Sequence, residues 1–188
     1  MEQNRKIQTK DIVLIGLMAA LCFVSNFFRI PLPSVVGISA IHLGNTFCLL
    51  SGLLLGGVRG GLSAGIGSMI FDLVYPGYAA SAPFTLVFKF TLAFVCGIIA
   101  YSGKSKGNSF LRNLIGSILG SVAYLILYLA KAFISQYFFY KNALETTLVA
   151  VLEKLISSSI NAVLAIIFAM ILAPVMKKAL SKTKLFSK

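Results

Sequence analysis

Tryptophan is missing from the chain, histidine occurs once, and only five residues are acidic. Each shortage excludes something. A single histidine, His42, cannot build a zinc centre, and no HExxH stretch accompanies it. The three cysteines, Cys22, Cys48 and Cys96, stand apart in apolar sequence without a CxxC, so they read as small core residues. No GxxxxGK[ST] loop is present, so this chain lacks the phosphate cradle of a nucleotide hydrolase. Charged residues make up 12% of the chain, where a soluble domain averages about 25%. No metal and no cofactor is expected, and no nucleic acid, since no basic face with aromatic readers is evident.

What the chain has is apolar sequence. It is 58% hydrophobic over 188 residues, with a mean hydropathy of +0.92. A spanning helix needs about 20 mostly apolar residues. The runs predict an all-α integral membrane protein of six transmembrane helices, forming one domain over 1–188. The expected spans are 12–28, 43–57, 60–75, 84–101, 111–135 and 143–173. Ile30–Ala40, with two prolines and a glycine, reads as an ordered apolar loop. Gly56–Gly61 reads as a tight turn, and Pro174 as the stop of the last helix.

The net charge of +12 follows the positive-inside rule. With the N-terminus inside, the inner segments hold Arg5, Lys6, Lys10, Arg59, Lys104, Lys106, Arg112, Lys177, Lys178, Lys182, Lys184 and Lys188. Arg29, Lys89, Lys131, Lys141 and Lys154 fall at outer ends. The expected topology is N-in, C-in, in a multi-pass protein of the cell membrane.

Polar residues inside spans are costly and mark candidate sites. Asp72 and Lys89 flank the loop Pro76–Pro83 at matching depth. Two readings are open: a structural ion pair bracing a hairpin, or part of a site. Gly61, Gly65, Ser68, Asp72 and Tyr75 share one helix face, as do Thr85 and Lys89. Ser117, Ser121, Tyr124, Tyr128, Lys131 and Ser135 make a continuous stripe on the fifth helix. Lys154, Ser158 and Asn161 make another on the sixth, with Ser157 beside it. Lipid cannot satisfy these groups. The simplest object that does is a polar cavity open to the outside. Its candidate substrate-binding residues are Asp72, Tyr75, Tyr78, Thr85, Lys89, Tyr124, Tyr128, Lys131, Ser157 and Asn161. Lys131 and Lys154 could equally snorkel to the interface, and Tyr78 could be a belt aromatic. On the first helix Gly16, Ala19 and Ala20 form a smooth strip, suited either to internal packing or to docking another subunit.

The stretch HLGNTFCLLSGLLLGGVRGGLSAGIGSMIFDLVYPGYAASAPFTLVFK resembles the substrate-specificity (S) components of energy-coupling factor (ECF) transporters, the vitamin-uptake branch of ABC transporters. The likeness covers nearly the whole chain. It implies a non-enzymatic subunit that binds one vitamin or precursor in an outward pocket formed by helices four to six. Ile30–Ala40 and Pro76–Pro83 would be its lids. It further implies a membrane coupling subunit, docked through an AxxxA-type strip on the first helix, and two ATPase subunits. This chain has Gly16-xxx-Ala20 at that strip, a departure compatible with close approach. The aromatic cavity suits a ring with polar substituents: hydroxymethylpyrimidine, pyridoxine or a riboflavin-like compound. Thiamin-specific members use tryptophan, which is lacking here. The competing readings are a stand-alone channel or uniporter and a membrane-embedded enzyme. The enzyme would need a nucleophile and base that His42 and Ser68, at different depths, do not supply.

Overall fold

The computed structural model describes residues 8–32 and 39–181. Six α-helices and one β-hairpin follow in order: α1 (Thr9–Ser25), β1 (Arg29–Leu32), β2 (Ser39–His42), α2 (Gly44–Leu55), α3 (Gly57–Val74), α4 (Ala82–Tyr101), α5 (Phe110–Ile134) and α6 (Leu144–Ser181). A 3-10 turn, Ala79–Ser81, precedes α4, and a π-turn, Ser135–Phe139, extends α5. The segments 33–38 and 182–188, with part of the Ile30–Ala40 loop and of the basic tail, lie outside the described residues, as does the N-terminus through Ile7.

Among the described residues, three segments are long and apolar enough to cross a membrane: Ala79–Tyr101, Phe110–Phe139 and Leu144–Leu180. At 1.5 Å per residue, the 12 residues of α2 reach only about 18 Å, short of a hydrocarbon core of about 30 Å. The helices meet end to end in one turn. Gly56 joins α2 directly to α3 with φ at +83°, a conformation in which a side chain is strained. The expected six-residue turn is therefore a single residue, and Gly57–Gly61 belong to α3.

The core is built on the middle of the bundle. Leu49, Leu50 and Leu53 of α2, Leu92, Ala93 and Cys96 of α4, and Ala165, Ala169 and Ala173 of α6 are buried together. The α6 residues step by four from Ser157 through Asn161, so one ridge packs inward along the helix. Pro174 does not end α6, contrary to the expectation. It removes one backbone donor, yet the helix continues to carry Lys177 to the α4–α5 loop. There the Lys177 ammonium donates to the carbonyls of Lys106 (3.0 Å) and Gly107 and to Asn108 Oδ1 (3.3 Å).

At this same end Asp11 of α1 pairs with Arg59 of α3 at 3.1 Å. The Asp11 carboxylate also accepts the Gln8 N–H at 3.0 Å. Further along, α1 and α3 approach until Ala19 lies against Gly67. Ala19 is thus buried and takes part in internal packing. Gly16 and Ala20, about 100° per residue around the helix from it, are exposed, and Gly16 has open space where a side chain would stand.

Candidate substrate site

The opposite end of the bundle carries the hairpin. β1 and β2 pair antiparallel with Arg29 opposite His42 and Pro31 opposite Ala40. An apolar loop was expected over these residues. Pro31 falls on β1, while β2 has no proline and is free to donate, and the second edge of β2 is covered. Asn161 of α6 stands where a third strand would be: its Oδ1 accepts the His42 N–H at 2.9 Å, and its Nδ2 donates to the Ala40 carbonyl at 2.8 Å. An open strand edge is thereby satisfied by one side chain. His42 Nδ1 accepts the Gly44 N–H at 3.2 Å and so leads the chain into α2.

Beneath the hairpin is a cavity of about 70 Å³ lined by Arg29, Ala40, His42, Asn45, Tyr78, Tyr124, Tyr128, Ser157, Ser158 and Asn161. Tyr124 and Tyr128 of α5 stack with centroids 5.7 Å apart and planes 11° off parallel. Five of the sequence candidates thus reach this wall: Tyr78, Tyr124, Tyr128, Ser157 and Asn161. Asp72, Tyr75, Thr85, Lys89 and Lys131 are not among its lining residues. The Asp72 carboxylate accepts the Thr85 hydroxyl at 2.5 Å. Lys89 donates to Asn45 Oδ1 and lies 4.6 Å from the Tyr124 ring centroid. Lys131 donates to the Ser81 hydroxyl at 3.3 Å, tying α5 to the α3–α4 loop.

Asp72 and Lys89 make no ion pair with each other; among the described residues the recorded salt bridge is Asp11–Arg59. Each side chain bonds elsewhere: Asp72 to Thr85 and Lys89 to Asn45. Arg29, His42, Asn45 and Ala40 on the wall were not named as site residues from sequence. Arg29 read as an outer-end cation, and His42 only as a lone histidine. Nothing local in the sequence shows that the hairpin folds them over α6. Ser158 was legible as part of the α6 stripe.

His42 is enclosed. Burial, then the neighbouring Lys89 and Arg29 charges, hold its imidazole well below the usual value of 6.5. Its unfolded form takes up a proton that the folded form refuses. Stability is therefore full above pH 6.5 and declines as pH falls toward the folded value, by at most about 1.4 kcal/mol per pH unit. Thermal melts from pH 7.5 to 5 are expected to show this decline, with His42→Gln removing the part due to this group. A pH slope identical in the variant would exclude His42 as its source.

Aromatic faces with a few fixed donors and acceptors, under a two-stranded cover, suit the capture of a small planar molecule. The fold and the site define a helical membrane protein of the substrate-binding kind. The chain matches the family model of the ECF-type riboflavin transporter S component over residues 6–178, and it belongs to that family. It is a transporter subunit and not an enzyme. No curated protein matches the chain.

Proposed function

We propose that this protein captures riboflavin, or a compound with the same ring system, from outside the cell. It then delivers it through a coupling subunit driven by two partner ATPases. The observation that carries this reading is the cavity under the β1–β2 hairpin, which sets the stacked Tyr124 and Tyr128 beside Arg29, Asn45, Ser157 and Ser158. The family match supplies the substrate class. The planar flavin ring suits the aromatic wall, and its carbonyl and nitrogen edge suits the polar one.

In this reading residues 1–188 form one domain of six membrane-embedded helices with both termini inside. The Arg59, Lys106, Arg112 and Lys177 end then faces the cytoplasm and the hairpin faces out. At about 70 Å³ the cavity is well under the roughly 300 Å³ at which small-molecule sites begin. Loading therefore requires the hairpin to lift from α6. Asp72, Tyr75, Thr85, Lys89 and Lys131 act behind the wall, positioning Asn45, Tyr124 and the α3–α4 loop.

Native mass spectrometry of the purified protein is expected to show one co-purified flavin per chain. A folded protein that carries none, and takes up none when flavin is added, would sink this reading. Docking to the coupling subunit uses the exposed strip at Gly16 and Ala20 of α1. Gly16→Leu is expected to leave flavin binding and melting temperature within error and to reduce uptake in cells at least tenfold. Uptake at the wild-type rate would place docking elsewhere.

A further inference from the structure

Several polar atoms on the cavity wall are already committed. Asn161 is spent on β2, Asn45 Oδ1 on Lys89, and His42 Nδ1 on Gly44. Arg29 differs. Its Nε–H is buried with no hydrogen-bond partner, although Arg29 lines the cavity. Buried donors in native structures are nearly always satisfied, and an orphan calls for a specific partner.

The rest of the side chain is held firmly. The guanidinium carbon lies 4.9 Å from the Phe71 ring centroid, 4.7 Å from Tyr75 and 4.8 Å from Tyr78. Those rings pack on each other, with Phe71 and Tyr75 stacked at 5.0 Å. Cation–π attraction thus seats Arg29 with no carboxylate in salt-bridge range among the described residues. The nearby acid, Asp72, is bonded to Thr85. A guanidinium paired with a carboxylate would have its donors quenched. This one has its plane set by the rings while a buried donor stays unused on a residue that lines the cavity.

We propose that Arg29 is a substrate-contacting residue, and that its Nε–H donates to a carbonyl oxygen of the bound heterocycle. This rests on the flavin-capture reading. Nε–H can only donate, so the ligand must present an acceptor there. The aromatic seat makes the requirement specific to arginine: lysine keeps the cation on the rings but has neither the planar fork nor a donor at that point. Because Arg29 lies on β1, the contact forms only with the hairpin closed, so the bond also couples occupancy to lid position.

The test compares wild type with Arg29→Lys and Arg29→Met by riboflavin fluorescence titration. The carbonyl stretching band of the bound flavin is recorded by infrared difference spectroscopy at saturating ligand. Both variants are expected to bind at least tenfold more weakly. In both, the carbonyl band should move to higher frequency than in wild type, since one hydrogen bond to that oxygen is gone. The loss should be the same size for lumiflavin, which has the ring without the polyol chain. Wild-type affinity in Arg29→Lys, or a carbonyl band unmoved in both variants, would overturn the inference and leave Arg29 as a clasp between hairpin and loop. If wild type binds no flavin at all, the flavin reading itself fails. The two failures are therefore distinct.

Discussion

Replacing Asn161 with leucine is expected to weaken flavin binding about a hundredfold while the bundle stays folded. The loss comes from the hairpin. Asn161 makes two bonds to the free edge of β2, and leucine leaves the His42 N–H and the Ala40 carbonyl without partners. Each such bond contributes roughly 1 to 1.5 kcal/mol net. Two together amount to about two factors of ten in the stability of the closed lid. Since the closed lid buries the ligand, the effect should fall on dissociation, with release accelerated more than capture is slowed. The bundle survives because Ala165, Ala169 and Ala173, farther along the same ridge, keep α6 in the core. Stopped-flow release with excess competitor measures this. Release at the wild-type rate from a folded variant would show that Asn161 does not latch the lid.

Replacing Gly67 with leucine is expected to prevent the bundle from assembling, where the same change at Gly16 does nothing to stability. A Cβ at Gly67 would lie 2.2 Å from the Ala19 carbonyl oxygen and 2.9 Å from its carbonyl carbon, both backbone atoms that cannot rotate aside. Helix α1 would have to withdraw along its length. That breaks the edge-to-face contact of Phe27 with Phe71 at 4.9 Å and strains the Asp11–Arg59 pair. Overpacking alone costs about 1–3 kcal/mol. Loss of a whole helix interface carries the change beyond the usual range of single substitutions. At Gly16 there is only open space. Size-exclusion profiles and thermal melts of the two variants in detergent check the contrast. A Gly67→Leu protein with a wild-type melting temperature would mean that α1 and α3 do not pack as described.

The helices were legible because each is an apolar run bounded by charge, Pro or Gly, and the structure moves their ends by only a few residues, except that α6 runs past Pro174 to Ser181. Faces were harder. On α1 nearly every residue is apolar, so periodicity does not distinguish Ala19, against Gly67, from Gly16 and Ala20 outside. One residue of rotation decides which is packing and which is surface. On α5 the polar stripe did carry the face, and Ser117, Ser121 and Tyr124 are buried.

The site was partly legible for the same reason. The α5 and α6 stripes lead to Tyr124, Tyr128, Ser157 and Asn161. The hairpin hid the rest. Its strands are short, one carries a proline, and its edge is completed by a side chain more than a hundred residues away. Arg29, His42 and Ala40 reach the cavity only through that long-range closure. Asp72 and Lys89 drew attention as buried charges of opposite sign. Sequence could not show that Asp72 bonds a hydroxyl and Lys89 an amide rather than each other.

The central claim is that the space under the hairpin is a flavin site. A titration of riboflavin with the purified wild-type protein in detergent, followed by quenching of flavin fluorescence, tests it most directly. Quenching that saturates at one flavin per chain, and that is weakened by Asn161→Leu but not by Gly16→Leu, is the predicted result. A folded protein that neither quenches riboflavin nor gains thermal stability from it would contradict the account.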